Sequence, residues 1–205
     1  MLLLLLACRP DPGNPSYPDP AAEETGVVDT GDPNNYPGPD PYAEGEARLS
    51  VGAFYEGGYS DLLAVDVVSI FYYIYSNTFT QTVDSDERIE GYVSDLITVG
   101  GQGWWGGGIH SGSAVDLSAW TTVHFSAKSE TIDDFDLGIQ ADGGEGSVQA
   151  SSYGFVNDGE WHSMDIPLAD FGLSTGTTTG LLLFIGEGDA EGSTIHFDNL
   201  YYTAE

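Results

Sequence analysis

The sequence predicts an all-β protein: a two-sheet antiparallel β-sandwich of jelly-roll type, preceded by a disordered N-terminal tether. Three observations predict it. Runs rich in β-branched and aromatic residues recur at short intervals from residue 47 onward. Clusters of Gly, Asn, Asp and Ser, which suit turn geometry, separate those runs. No stretch sustains a helical period; Ser60–Val68 alone is helix-like, and it is short. The roughly 160 residues from Ala47 are enough for one two-sheet core.

In chain order, Leu2–Leu6 come first, an apolar run too short to span a bilayer, which needs ~20 residues. Leu5-Leu6-Ala7-Cys8 resembles the bacterial lipoprotein cleavage box. That resemblance implies a signal peptide over residues 1–7, removed before Cys8, and acylation of the Cys8 thiol. Cys8 is the sole cysteine, so no internal disulfide is expected. No Lys or Arg precedes the apolar run, although such leaders start basic, so the true start is expected upstream. Residues 8–46 are dense in Pro, Gly, Asp, Asn and Glu and have little to bury. They read as an acidic, extended tether. The expected location is the bacterial cell envelope, at the outer membrane or cell surface, with membrane contact only through the lipid.

Residues 47–205 form the expected domain. Leu49–Tyr55 alternates, and Val65–Tyr75 is rich in β-branched and aromatic residues before the turn at Ser76-Asn77. The strands expected next are Arg88–Val99, Trp104–His110, Thr121–Lys128, Asp134–Ala141, Gly146–Ala150, Trp161–Ile166, Gly180–Ile185 and Ser193–Tyr202. Asp142-Gly143-Gly144, Asn157-Asp158-Gly159 and Glu187-Gly188-Asp189 supply turns between them. Trp120 is expected to cap one end of the sandwich, ahead of alternating Val123, Phe125 and Ala127. Trp161 is expected to pack between the sheets with Met164, Ile166 and Leu168. Pro167 falls where that strand leaves the sheet and a missing N–H is tolerated.

Charge narrows the partners. A formal net charge of -29, from 33 acidic residues against four Lys and Arg, leaves almost no cations to meet phosphates. Nucleic acid is excluded as a partner, and polyanions are disfavoured unless a divalent cation bridges them. The acidity also suits a solvated, salt-adapted or cell-surface protein.

Gly100-Gly101-Gln102-Gly103-Trp104-Trp105-Gly106-Gly107-Gly108-Ile109-His110 is the most distinctive stretch. Glycines on both sides let flat indole faces approach a partner closely. A sugar, with C–H faces for stacking and hydroxyls for hydrogen bonds, suits Trp. In a strand Trp104 and Trp105 point to opposite faces, so one is expected in the core and the other on ligand. Tyr72-Tyr73-Ile74-Tyr75 places Tyr73 and Tyr75 on one side, a candidate platform beside the tryptophan. His110, Gln140 and Tyr153 are candidate hydrogen-bond partners for the sugar.

Three motifs resemble the galactose-binding-like β-jelly-roll, the fold of many carbohydrate-binding modules on bacterial polysaccharide-degrading enzymes. Asp116-Leu117-Ser118-Ala119-Trp120 leads into a strand, Gly159-Glu160-Trp161 precedes Ile166-Pro167-Leu168-Ala169-Asp170-Phe171, and Ile195-His196-Phe197-Asp198-Asn199-Leu200-Tyr201-Tyr202 closes the chain. The resemblance implies a polysaccharide or oligosaccharide ligand. It also implies a structural calcium joining first and last strands, for which Glu56 and Asp198 occupy the corresponding places. Calcium takes several oxygen ligands, so the rest of its set is not legible.

Catalytic patterns are lacking. Glu187-Gly188-Asp189-Ala190-Glu191 has carboxylate density without the spacing of a glycosidase pair. No Ser sits in a nucleophile elbow, and His110, His124, His162 and His196 show no zinc spacing. The expected function is therefore non-catalytic binding of a neutral, β-glucan-like polysaccharide by a lipid-anchored surface protein. The alternatives are a jelly-roll protein-interaction or assembly module, and a small glycoside hydrolase or lyase.

Overall fold

The computed structural model describes residues 48–50, 70–89 and 93–204. Cys8, Glu56, the tether and the helix-like Ser60–Val68 lie outside the described residues. The strands are β1 (Arg48–Ser50), β2 (Ile70–Ile74), β3 (Phe79–Asp84), β4 (Ser94–Val99), β5 (Trp104–Val115) and β6 (Thr122–Lys128). They continue with β7 (Asp136–Ala141), β8 (Gly144–Gln149), β9 (His162–Pro167), β10 (Thr178–Glu187) and β11 (Thr194–Thr203).

Two antiparallel sheets form the sandwich, as the alternation predicts. The six-stranded sheet runs β3-β4-β11-β6-β9, with β1 also paired to β11; the five-stranded sheet runs β2-β5-β10-β7-β8. Apart from the consecutive pairs β3-β4 and β7-β8, neighbours in both sheets come from distant parts of the chain.

Inward-facing residues meet between the sheets. Phe184 of β10 and Phe197 of β11 bring their ring centroids to 4.8 Å across the core. Trp105, fully buried, adds ring contacts with Phe79, Phe135, Phe184 and Phe197. Each such buried side chain contributes about 1.5–3 kcal/mol by leaving water. Gly186 makes room for that indole: a Cβ there would lie 2.2 Å from the Trp105 ring nitrogen. Trp120 is in the core as expected, 6% exposed.

Three expectations need correction. Strand β3 is not among the expected strands, because Thr80, Gln81 and Thr82 make an edge strand too polar to signal itself. It follows a tight turn in which Ser76 and Asn77 take φ of 51° and 53°. Buried Thr78 secures the crossing between sheets, its hydroxyl donating to Tyr75 O at 2.9 Å and accepting from Gly106 N at 3.1 Å. The expected strand from Arg88 begins only at Ser94. Trp161, finally, is not between the sheets. Met164 and Ile166 face inward, so the opposite parity puts Trp161 on the outer side, half-buried with its ring edge-on to His196.

Candidate functional site

The outer face of the five-stranded sheet collects most of the candidate residues, and its rows follow from strand register. His110 of β5 pairs with Gly180 of β10, Gly180 with Gln140 of β7, and Gln140 with Glu145 of β8. A second row runs Tyr73, Gly108, Leu183, Gly138 and Ser147. A third runs Gly106, Ile185, Asp136 and Gln149. Beyond it Trp104 stands opposite Glu187. Alternation along β5 therefore keeps Trp104 and His110 on this face and sends Trp105 and Ile109 into the core.

Glycines shape the floor. Neighbouring strands are about 4.8 Å apart, so the backbones at His110 and Gln140 stand roughly 10 Å apart across Gly180. A Cβ at Gly180 would lie 2.8 Å from the Gln140 Cβ and 3.0 Å from Leu183 Cδ2. A Cβ at Gly108 would lie 2.7 Å from the same Leu183 methyl. The side chain of Leu183 is thus bedded between β5 and β7 as an apolar floor. A depression of about 250 Å³ opens here, lined by Asp136, Gly138, Glu145, Ser147, Leu183 and Ile185.

Outside the lining of that depression, on the β2–β5 side of the face, lies an aromatic wall. Tyr73 is 42% exposed, and its ring lies 5.4 Å from Tyr75 and 6.0 Å from His110, centroid to centroid. The Tyr75 hydroxyl and His110 Nε2 share a hydrogen bond of 3.2 Å. The opposite wall is polar. Thr179 Oγ1 donates to Gln140 Oε1 at 3.2 Å, and Gln140 Nε2 donates to Glu145 Oε1 at 3.0 Å.

The walls sense each other electrically. Burial pushes the Tyr75 phenol up to about 12, and the charge of Glu145 and the neighbouring Tyr73 add to the rise. Burial lowers the pKa of His110, partly opposed by Glu145. Its imidazole is therefore neutral near pH 7. Burial and the carboxylates of Asp134 and Glu187 raise Asp136. The cations of the described residues all belong to the six-stranded sheet and its connections: Arg48 in β1, Arg88 after β3, and Lys128 in β6, 2.5 Å from Glu87. The groove is thus a negative field with apolar and aromatic contact surface.

Two candidates leave the set. Trp105 cannot stack on a ligand, because it is 0% exposed and ringed by phenylalanines. Tyr153 lies on a 3-10 turn, Ala150–Tyr153, with its ring packed against the core and its hydroxyl donating to Asp170 at 2.7 Å. Glu145 joins the set although no expectation named it. A two-residue Asp142-Gly143 turn, with φ of 50° and 77°, dictates that Gln140 faces Glu145, so hairpin counting from the sequence would find it.

The other named residues sit elsewhere. His124, His162 and His196 pair with Asp165, Asp158 and Asp84 at 2.7, 2.7 and 3.3 Å. Asp198 is buried in β11, accepting from Ile89 N at 2.7 Å and Asn199 N at 2.8 Å. The amide oxygen of Asn199, the next residue in the chain, is buried with no hydrogen-bond partner among the described residues. A carboxylate and an amide oxygen are the kinds of donor that a hard cation such as calcium takes. Asp198 and Asn199 would hold it and the ion would supply charge neutralisation. Among the described residues no group of three or more His, Cys, Asp or Glu gathers as a metal site.

The profile of Carbohydrate binding domain 30 (CBM30) matches residues 66–204. No curated protein matches the chain. Among solved structures, the solution structure of CtCBM11 aligns with a TM-score of 0.51 at 15% identity, covering 80% of this chain and 99% of that one. The family 11 carbohydrate-binding module of the cellulosomal cellulase Lic26A-Cel5E of Clostridium thermocellum gives 0.50 at 14% identity, covering 66% and 88%. An exo-β-agarase gives 0.51 at 10% identity, covering 66% of this chain and 23% of that one. At such identities the likeness to these structures shows the β-sandwich fold and no more.

Proposed function

The chain belongs to the Carbohydrate binding domain 30 family, and from that premise we propose that it binds a neutral, β-glucan-like polysaccharide on the outer face of the five-stranded sheet. One observation supports this reading: Tyr73, Tyr75 and His110 share one sheet face with Gln140 and Glu145, with Gly180 and the Leu183 side chain between the two groups. Tyr73 and Trp104 offer flat surfaces for sugar C–H faces, Leu183 an apolar floor, and the opposite wall hydrogen-bond partners for hydroxyls. Binding is non-catalytic in this reading. The alternative of a protein-assembly surface asks for a contiguous apolar patch. The exposed large hydrophobics of the described residues, Tyr73, Val83 and Val156, fall on separate elements and favour the glycan.

Affinity electrophoresis in soluble neutral glucans tests this. Wild type is retarded, and Tyr73→Ala loses retardation while melting at nearly the wild-type temperature. Wild type that migrates unretarded through every neutral glucan refutes the reading.

The wider setting is part of the same proposal. An acylated Cys8 and an acidic tether would hold the domain off a bacterial envelope membrane. Expressed in a host that processes lipoproteins, the chain should partition into detergent and Cys8→Ser should abolish that partitioning.

A further inference from the structure

Glu145 has a chemical position that the glycan reading does not by itself assign. The Gln140 amide between it and Thr179 has only one consistent orientation. Its oxygen accepts from Thr179 Oγ1 at 3.2 Å and its nitrogen donates to Glu145 Oε1 at 3.0 Å. Flipped, the amide oxygen would abut a carboxylate, acceptor against acceptor. Among the described residues the amide therefore keeps one N–H unspent. Glu145, exposed at the edge strand β8, likewise keeps its second carboxylate oxygen among the described residues. A fixed N–H donor beside a charged acceptor matches adjacent sugar hydroxyls, each able to donate and to accept.

Charge adds a second constraint. Glu145 stands in the depression with Asp136, and the described cations belong to the other sheet. Its field reaches the aromatic wall, because it acts electrostatically on both Tyr75 and His110. A sugar seated between the walls lies within that field.

Resting on the glycan reading above, we infer that Glu145, positioned through Gln140 and Thr179, is the specificity-determining residue of the groove. It accepts hydrogen bonds from vicinal hydroxyls of a neutral sugar and repels sugars that carry a carboxylate or sulfate. Selection between neutral and anionic glycans is thus assigned to one side chain rather than to the net charge of the chain.

The test is calorimetric titration of wild type and Glu145→Gln with a neutral β-glucan oligosaccharide and its glucuronate counterpart. Gln keeps the shape and a hydrogen-bonding oxygen, and the site is exposed, so thermal melting should be unchanged. The neutral ligand should weaken about tenfold in the variant, the loss of one charge-assisted hydrogen bond. Glucuronate binding should strengthen, so the neutral-to-acidic preference falls by more than that factor. Added salt should relieve glucuronate exclusion in wild type, since screening acts over about 8 Å at ~0.15 M. The variant should respond less. Neutral binding with the same neutral-to-acidic ratio in both proteins overturns the role of Glu145 and leaves the glycan reading standing. Absence of neutral binding by wild type overturns both.

Discussion

The indole N–H of Trp105 donates to Asp189 Oδ2 at 2.7 Å, so a ring sealed in the core is tied to the acidic loop between β10 and β11. That loop, Glu187-Gly188-Asp189-Ala190-Glu191, has the carboxylate density of a catalytic segment. Asp189 is instead the acceptor that lets a tryptophan be fully buried. Burial raises its pKa and the indole hydrogen bond opposes the rise. Trp105→Ala should cost ~3–5 kcal/mol, as loss of a core aromatic does. Asp189→Ala should cost ~1–3 kcal/mol by orphaning the indole N–H. Urea unfolding of both variants and their double mutant checks this, and the double mutant should cost less than the two singles added.

Trp104, its neighbour on the opposite face, should behave in the contrary way. It is half-buried, and among the described residues it makes no ring contacts like those that enclose Trp105. Trp104→Ala should weaken glucan retention at least tenfold, a change of ~1.4 kcal/mol, while unfolding moves little. Affinity electrophoresis beside a thermal melt separates the two tryptophans.

His110 gives the site a pH dependence. Its pKa is lowered in the folded protein, first by burial, so the unfolded chain takes up the proton more readily. The stability tied to neutral His110 is complete above the ordinary histidine pKa of ~6.5 and is lost as pH falls toward the folded value. Between about pH 7 and about pH 5 wild type should therefore lose more stability than His110→Gln. Melting curves across that interval measure the difference, and equal losses would remove the effect assigned to burial.

Calcium at Asp198 and Glu56 is a proposal with a separate readout. If an ion joins the buried Asp198 carboxylate to the Asn199 amide oxygen, a chelator should lower the melting temperature. Saturation at a hundredfold excess over Kd contributes ~2.7 kcal/mol. Glu56→Gln should blunt the response, and elemental analysis of the purified protein should find about one calcium per chain. Protein with no bound metal and no chelator response excludes the site.

Much of this molecule is determined by local pattern. Alternation set the strand class, and Gly, Asp and Asn marked turns such as Asp142-Gly143, where both residues take positive φ. Alternation also required Trp104 and Trp105 to part company, whichever face proved to be inner. Local pattern could not say which face that was. The answer depends on where the six-stranded sheet packs, and the ring contacts of Trp105 with Phe79 and Phe197 from that sheet decide it. The same limit misplaced Trp161, one residue out of parity with Met164 and Ile166. It hid β3 as well, whose polar residues pair with β4 at a sheet edge. The groove depends most on tertiary structure. Gln140 and Glu145 meet within one hairpin, but His110 and Gly180 join their row only through pairings of strands far apart in the chain. Periodicity fixes which way a side chain points along its own strand, whereas its neighbour across the sheet is fixed by register between distant segments, which no local pattern encodes.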